Sequence, residues 1–318
     1  MTKQSVNHVK NYLITYHKSD IFVFIFRSVN KKTVGIIAIL LASIMWAIEP
    51  IFIKLSYENS DFIQTNTIRA IFALLIAFIY ILIKRKPKEL RLLKKDIAPM
   101  IYIALIAAFF ADFMYVFSLS QVAVVNAVII AHMQPVFIII FGFFILKSDK
   151  LTSFDYIGII LMIISGILVT TRTFDNLLSL RLGTIGDLFV LSATVAWATT
   201  AIATRKYLRH LDTSVLTFYR FSIVSVVLSI YLLINNNFFI ANYYQILVGI
   251  IIGLGTILYY ESLKRIKAVQ TSALELSTPL FATVLAFYTL SEIPTIMQIA
   301  GIIIMLLGLY FFLKKENN

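Results

Sequence analysis

Two apolar stretches of the chain carry ionisable and polar side chains directly before a proline. Residues 126–146 have His132 and Gln134 before Pro135, and residues 270–290 have Glu275 and Thr278 before Pro279. Each stretch has about 21 residues, enough for a helix to cross a hydrocarbon core of about 30 Å. Polar groups are costly in hydrocarbon, so they normally face a cavity or a polar partner. Both stretches are therefore predicted to line a binding site.

The prolines predict a bend in each stretch. Pro135 aligns with Pro279 at a shift of 144 residues. A proline inside a helix removes a backbone hydrogen bond and kinks the helix. The carbonyl groups released at a kink can line a cavity. Both prolines are therefore predicted hinges.

Other ionisable residues lie within apolar stretches and can be grouped by depth, counting about 1.5 Å per helical residue. Glu49, Arg69 and Asp112 fall near one membrane face, and Arg220 and Glu275 fall near the other. We expect two charge-balanced clusters. The arginines either lock the helices together, neutralised by carboxylates, or bind a substrate carboxylate or phosphate with paired hydrogen bonds. We favour the structural role.

A polar stripe follows one face of the second stretch. Thr271, Glu275 and Thr278 are spaced at i, i+4 and i+7, which places them on one side of a helix. Small residues also allow close helix packing, but packing does not require a carboxylate, so we interpret the stripe as a cavity wall. Glu275 is a candidate proton carrier. His132 is a proton relay, a donor to substrate, or a partner of a neighbouring helix.

Two tryptophans each lie three residues before a polar side chain. Trp46 precedes Glu49, and Trp197 precedes Thr200. An aromatic wall beside a polar group suits an amphipathic organic substrate. Ordinary packing explains either tryptophan taken singly, so both interpretations stay open.

Composition limits the function classes. The chain has 60% hydrophobic and 14% charged residues and no cysteine, which indicates a polytopic helical membrane protein without disulfides or thiolate metal sites. The net charge is +12, but the basic residues that cause it lie in short loops between apolar stretches. The charge therefore does not indicate nucleic-acid binding. We find no phosphate-binding glycine loop, metal-ligand spacing or nucleophile motif. The sequence thus predicts neither an enzyme nor a bound cofactor or metal.

Ten membrane-spanning helices are predicted. They cover residues 33–56, 62–83, 97–118, 121–146, 153–172, 184–205, 213–234, 243–263, 267–290 and 294–313. With the N-terminus inside, 23 of the 28 basic residues lie in tails and loops on one side and two lie on the other. By the positive-inside rule, both termini are cytoplasmic in the cell membrane. The apolar run 21–26 is too short to span.

The two halves of the chain also match each other. The matched pairs are Trp46 with Trp197, Lys54 with Arg205, and Arg69 with Arg220 at a shift of 151, then Tyr115 with Tyr259 and Ser118 with Ser262 at a shift of 144. Five spans per half is an odd number, so the halves are predicted to lie in the membrane with opposite orientation, as in many secondary transporters. The predicted parts are a cytoplasmic tail at 1–32, repeats at 33–172 and 184–313, an external linker at 173–183, and a cytoplasmic tail at 314–318.

This doubled order of motifs resembles the EamA family of the drug/metabolite transporter superfamily. The residues that carry the resemblance are Trp46 to Lys54, Trp197 to Arg205, Arg69 and Arg220 early in the second span of each repeat, Pro135 and Pro279, and the closing Glu292. The resemblance implies a small-metabolite carrier, commonly an exporter, that works by alternating access. Two segments depart from the pattern, Ala47-Ile48-Glu49-Pro50 and Lys147-Ser148-Asp149-Lys150.

The sequence therefore favours a secondary transporter that exports a small metabolite such as an amino acid. Proton exchange through Glu275 and Glu49 is a hypothesis for its coupling. The expected partners are a small-molecule substrate and the lipid bilayer, without nucleic acid, and a homodimer is left open. The alternatives are a passive channel or facilitator, a membrane-embedded enzyme, and a structural subunit.

Overall fold

The computed structural model describes residues 31–84, 87–146, 153–179 and 183–314, and these ranges contain helices and turns but no strand. The predicted tail up to residue 30, the apolar run 21–26, Arg181 and the Lys147 to Lys150 segment lie outside the described residues. The helices are α1 (Lys31–Ser56), α2 (Phe62–Ile83), α3 (Lys94–Ser118), α4 (Val124–Ala131), α5 (Gln134–Leu146), α6 (Ser153–Thr171), α7 (Phe174–Leu178), α8 (Ile185–Leu208), α9 (Thr213–Ile234), α10 (Tyr243–Arg265), α11 (Ala268–Glu275), α12 (Thr278–Leu290) and α13 (Ile296–Lys314).

Seven helical segments in the described ranges are long and apolar enough to cross a membrane. They are α1, α2, α3, the α4–α5 pair, α8, α9 and α10. Shorter apolar helices occupy Tyr156–Val169, Thr278–Leu290 and Ile296–Gly308. The chain is therefore an integral membrane protein whose described residues form helices and turns.

Two helices begin where their capping residues fix them. Asp61 accepts a hydrogen bond from the Gln64 backbone N–H at 2.7 Å, and Asp212 accepts one from the Ser214 N–H at 3.0 Å. Such caps satisfy backbone donors that have no partner within the helix. The bounds of α2 and α9 accordingly match the predicted spans 62–83 and 213–234. Burial alone raises the pKa of Asp212, but hydrogen bonds from Ser214 and the charge of Lys84 lower it below its ordinary value.

The two spans that contain Pro135 and Pro279 are broken into separate helices, where the sequence predicted continuous kinked ones. Helix α4 ends at Ala131 and α5 begins at Gln134, while α11 ends at Glu275 and α12 begins at Thr278. Each proline is the second residue of the later helix, a position where its missing N–H costs nothing. The breaks fall at equivalent residues, because 131 and 275, like 134 and 278, differ by 144. The predicted hinge positions therefore coincide with helix starts.

The main helix pairings join the first half of the chain to the second. Helix α1 packs against α10, α2 against α9 and α10, and α6 against α13. Gly249 on α10 makes one close approach possible, because a Cβ there would lie 2.4 Å from Phe72 Cβ and 2.8 Å from the Arg69 carbonyl oxygen. This contact fixes α2, and with it Arg69, against the second half.

Polar side chains of α2 lie inside the bundle, and large apolar side chains are exposed on its outer face. Gln64, Asn66 and Arg69 on α2 are each about 1% exposed, whereas Ile79 on the same helix is 48% exposed. An apolar exterior suits contact with lipid, and the buried polar groups need partners or a cavity inside.

Candidate functional site

A polar cavity of about 70 Å³ lies between the two halves of the chain, at the two helix breaks. Its lining residues come from both halves. They are Trp46, Glu49, Arg69, Asp112, Tyr115, Ala131, His132 and Gln134 from the first half, and Trp197, Thr200, Ala201, Arg220, Ile252, Tyr259, Tyr260 and Glu275 from the second. A volume of this size has room for a few water molecules or a small polar group.

Two arginines and two carboxylates form one network at the cavity wall. Arg69 Nε and Nη2 lie 2.8 and 2.7 Å from Glu49 Oε1, and its Nη1 lies 3.4 Å from Asp112 Oδ2. Arg220 Nη2 and Trp197 Nε1 lie 2.8 Å from Asp112 Oδ1. All four charged side chains are at most 8% exposed. The network is charge-balanced, which offsets much of the desolvation cost of buried ions.

The prediction of a second cluster, formed by Arg220 and Glu275, is wrong. Arg220 joins Asp112 instead, because α9 packs against the segment of α3 that ends at Asp112. That segment, Ala104–Asp112, is π-helical. Depth counted along straight α-helices could not anticipate either this packing or the altered winding.

Glu275 and His132 form a second polar group across the cavity. Glu275 Oε1 lies 3.8 Å from His132 Nε2, and both side chains are at most 10% exposed. Among the described residues, Glu275 Oε2 and His132 Nε2 have no hydrogen-bond partner. The His132 Nδ1 atom is 2.6 Å from the Val128 carbonyl oxygen. A buried carboxyl group without a neighbouring arginine or lysine can take up a proton or bind a cationic group.

Aromatic rings enclose the cavity. Trp46 packs on Tyr259 with ring centroids 5.2 Å apart, and Trp197 packs on Tyr115 at 5.3 Å. Gly255 makes room for the first pair, since a Cβ there would lie 3.0 Å from Trp46 Nε1. The tyrosines were not among the predicted site residues, although their spacing of 144 residues was the available signal.

Not every predicted site residue reaches the cavity. Gln134 and Thr200 line it, whereas Thr271 and Thr278 do not. Thr271 Oγ1 lies 2.9 Å from Ser262 Oγ, so Thr271 joins α11 to α10. Thr278 is fully buried at the start of α12. The helical stripe is therefore divided by the break, and Glu275 alone of its three predicted residues faces the cavity.

A group that we call the clamp joins three helix ends. It consists of Lys54, Glu292 and the backbone N–H groups of Val124 and Val125. Lys54 Nζ and Val124 N lie 2.9 and 3.0 Å from Glu292 Oε1, and Val125 N lies 3.2 Å from Oε2. A carboxylate is stabilised at a helix N-terminus by these free donors and the helix dipole. The clamp therefore ties the residue segment after α12 in the second half to α1 and α4 of the first.

An open vestibule of about 560 Å³ adjoins the clamp and is lined by Lys54, Tyr57, Glu58, Asp61 and Glu292 among others. Burial raises the pKa of Tyr57, although the nearby charge of Arg69 acts in the opposite direction. Its hydroxyl therefore stays protonated and donates to the Val116 carbonyl oxygen at 2.5 Å. No group of three metal-binding side chains occurs within the described ranges.

Comparisons with known proteins give a family and transporter relatives. The model of the EamA-like transporter family matches residues 33–171 and 184–314. An uncharacterized transporter of Methanothermobacter thermautotrophicus is 27% identical over 71% of this chain and 67% of its own length. The uncharacterized inner membrane transporter YhbE of Escherichia coli is 25% identical over 79% of this chain and 80% of its own. A protein crystal structure with 14% identity superposes with a TM-score of 0.66, covering 87% of this chain and 95% of that one, so the fold is shared.

Proposed function

The chain belongs to the EamA-like transporter family, and from that premise we propose that it is a secondary carrier that exports a small polar metabolite such as an amino acid. The observation that carries this proposal is the polar cavity enclosed between the two halves at paired helix breaks. Secondary carriers bind substrate at such interfaces, where broken helices supply polar backbone and side chains.

The proposed topology has ten spans in two inverted repeats, at 33–172 and 184–313, with both termini in the cytoplasm. In this topology α4–α5 and α11–α12 are broken spans, and α6 and α13 also cross. The equivalent break positions and the two family matches support it. Inverted repeats allow the site to open to either side by exchanging the conformations of the halves.

Within the cavity, we assign the substrate or proton to Glu275 rather than to the arginines. Arg69 and Arg220 are already neutralised by Glu49 and Asp112. Within the described ranges, Glu275 has one ion-pair partner, His132 at 3.8 Å, and one of its carboxyl oxygens has no hydrogen-bond partner. Glu49 is held by two guanidinium nitrogens of Arg69, so Glu275 is the better candidate for proton coupling. The aromatic walls suit the apolar part of an amphipathic substrate.

The clamp gives this carrier a closed end. It links helices from both halves at the vestibule, and its bonds must break for the halves to separate there. Breaks before Pro135 and Pro279 supply the flexible points for such a movement.

Thermal shifts of the purified protein with a library of amino acids and amines, followed by counterflow in vesicles, test this function. A ligand that binds the native state raises the melting temperature. We expect at least one stabilising ligand to show saturable counterflow that is lost in Glu275→Gln and retained in Glu58→Gln, a change of the same type in the vestibule. Flux without saturation or counterflow would indicate a channel, and stabilising ligands that are never transported would refute the carrier.

A further inference from the structure

A third pocket lies at the opposite end of α1 from the clamp and is strongly basic. It is open, has a volume of about 490 Å³, and is lined by Arg205, Lys206, Tyr207, Arg209, His210 and Lys264. Lys264 lies at the end of α10. The two residues that follow it, Arg265 and Ile266, lie against Gly35 at the start of α1. Nothing in the proposed transport cycle uses this pocket.

Backbone carbonyl groups hold the basic side chains in position. Arg209 Nε donates to the Lys264 carbonyl at 2.9 Å, and Lys264 Nζ donates to the Leu211 carbonyl at 3.2 Å. Arg205 Nη1 donates to the Leu263 carbonyl at 3.1 Å. A helix C-terminus carries about half a negative charge, so the ends of α8 and α10 offset roughly one positive charge. Lys206, Arg209 and Lys264 carry three, so the pocket keeps a positive charge that attracts an anion.

The lining of this pocket differs in charge from the lining of the vestibule at the other end of the molecule. None of its six lining residues is acidic, and within the described ranges Asp96 Oδ2 lies 3.2 Å from His210 Nε2. The vestibule beside the clamp, in contrast, is lined by Lys54 together with Glu58, Asp61 and Glu292. The two ends of the bundle therefore differ in the charge of the ligand that they can accept.

An apolar surface borders the basic pocket. Lys206 Nζ reaches the Ile145 carbonyl at 3.5 Å, and near it the end of α5 exposes Phe143, Phe144 and Ile145 by 41%, 67% and 43%. Tyr207 is 50% exposed, and Lys206 lies over its ring at 5.2 Å. Cations beside an outward apolar face suit a ligand with an anionic head and hydrocarbon tails.

We propose that this pocket binds the phosphate headgroup of an anionic phospholipid whose acyl chains lie along α5 and α8. The positive-inside rule predicts this end to face the cytoplasm, where anionic lipid would stabilise the carrier. The site is independent of the substrate cavity, so its test does not depend on the transported molecule.

The test is a titration of the purified full-length protein in neutral detergent, with melting temperature as the readout. The probes are short-chain phosphatidylglycerol, short-chain phosphatidylcholine, and glycerol 3-phosphate as the soluble headgroup. We expect saturable stabilisation by phosphatidylglycerol, at least tenfold weaker binding of glycerol 3-phosphate, and none of phosphatidylcholine. Each basic residue near an anionic surface contributes about 1 kcal/mol, or roughly fivefold in affinity.

Lys206→Gln with Arg209→Gln should therefore weaken phosphatidylglycerol binding by roughly 30-fold. If that protein is poorly folded, Lys206→Gln alone should weaken binding by roughly fivefold. The matched control is Lys94→Gln with Lys95→Gln, two exposed lysines outside the pocket, which should change affinity less than twofold. Equal weakening in the control would mean non-specific charge attraction, and equal binding of glycerol 3-phosphate would mean a soluble-anion site. Either result overturns the lipid assignment.

Discussion

Replacing Glu292 with glutamine should open the clamp end of the central cavity. The Glu292 carboxylate bonds Lys54 from α1 and the N–H groups of Val124 and Val125 at the start of α4. Glutamine keeps the shape and one oxygen acceptor but loses the charge. The change therefore weakens three contacts that join the two halves without altering the size of the side chain.

The size of the effect can be worked out from these contacts. The pair with Lys54 is partly exposed, with side chains 27% and 14% exposed, so it contributes up to about 1 kcal/mol. A hydrogen bond to a charged group contributes about 1.5–3 kcal/mol, and glutamine retains part of that. A net loss of about 1.5–3 kcal/mol follows, which shifts the balance between closed and open ends by about 10- to 150-fold.

Cysteine accessibility measures this shift directly, because the chain has no cysteine of its own. A single Ala131→Cys places a thiol at the cavity, where Ala131 is 8% exposed. Membrane vesicles of either orientation are treated with a membrane-impermeant maleimide. In the Glu292→Gln background, we expect the reaction from the clamp side to be at least tenfold faster, with a smaller change or a slower reaction from the other side.

The control is Glu58→Gln, which removes an exposed carboxylate from the same vestibule without touching the clamp. It should leave both reaction rates unchanged within a factor of two. An unchanged rate in Glu292→Gln, or an equal increase in Glu58→Gln, would show that the clamp does not hold the cavity closed.

Three further predictions concern the cavity. Glu275→Gln should abolish pH-dependent transport while leaving the melting temperature within a few degrees, because no arginine or lysine contact is lost; flux at several pH values measures this. Asp112→Asn should destabilise the protein by about 3–5 kcal/mol, since it leaves uncompensated buried charge, and adding Arg220→Gln should recover part of the melting temperature. Gly255→Ala should displace the Trp46 ring and weaken substrate binding at least fivefold in a ligand thermal-shift titration.

Each of these predictions has a clear contrary outcome. Retained pH dependence in Glu275→Gln would remove Glu275 from coupling. If the second substitution further destabilised Asp112→Asn, charge balance would not be the reason for the network. For the glycine, Gly142→Ala is the matched control, because the neighbour of a Cβ there among the described residues is Ile202 Cδ1, at the ordinary distance of 3.8 Å. Equal loss of binding in that control would point to general disruption.

The sequence predicted the elements whose signals are local. The predicted spans 62–83 and 213–234 match the bounds of α2 and α9, and the repeated motifs identified the family correctly. The helix breaks were missed because a proline is compatible with either a kink or a new helix start. The contacts of Asp112 with Arg220 and of Lys54 with Glu292 join residues that are 108 and 238 positions apart. Only the packing of the two halves brings these residues together, and no local pattern encodes it.

Comparing equivalent positions in the two halves distinguishes the charged residues of the arginine–carboxylate network from Glu275, which lies outside it. Each half supplies one arginine, one tryptophan and one tyrosine at equivalent positions in the cavity lining. The acidic residues do not repeat: Glu49 corresponds to Thr200, Asp112 to Thr256, and Glu275 to Ala131. Glu49 and Asp112, the two carboxylates of the first half, neutralise the two arginines. The second half therefore contributes Glu275, a carboxylate that neutralises no arginine. This residue makes a nearly symmetric cavity asymmetric, so the cavity can distinguish the two ends of a bound molecule.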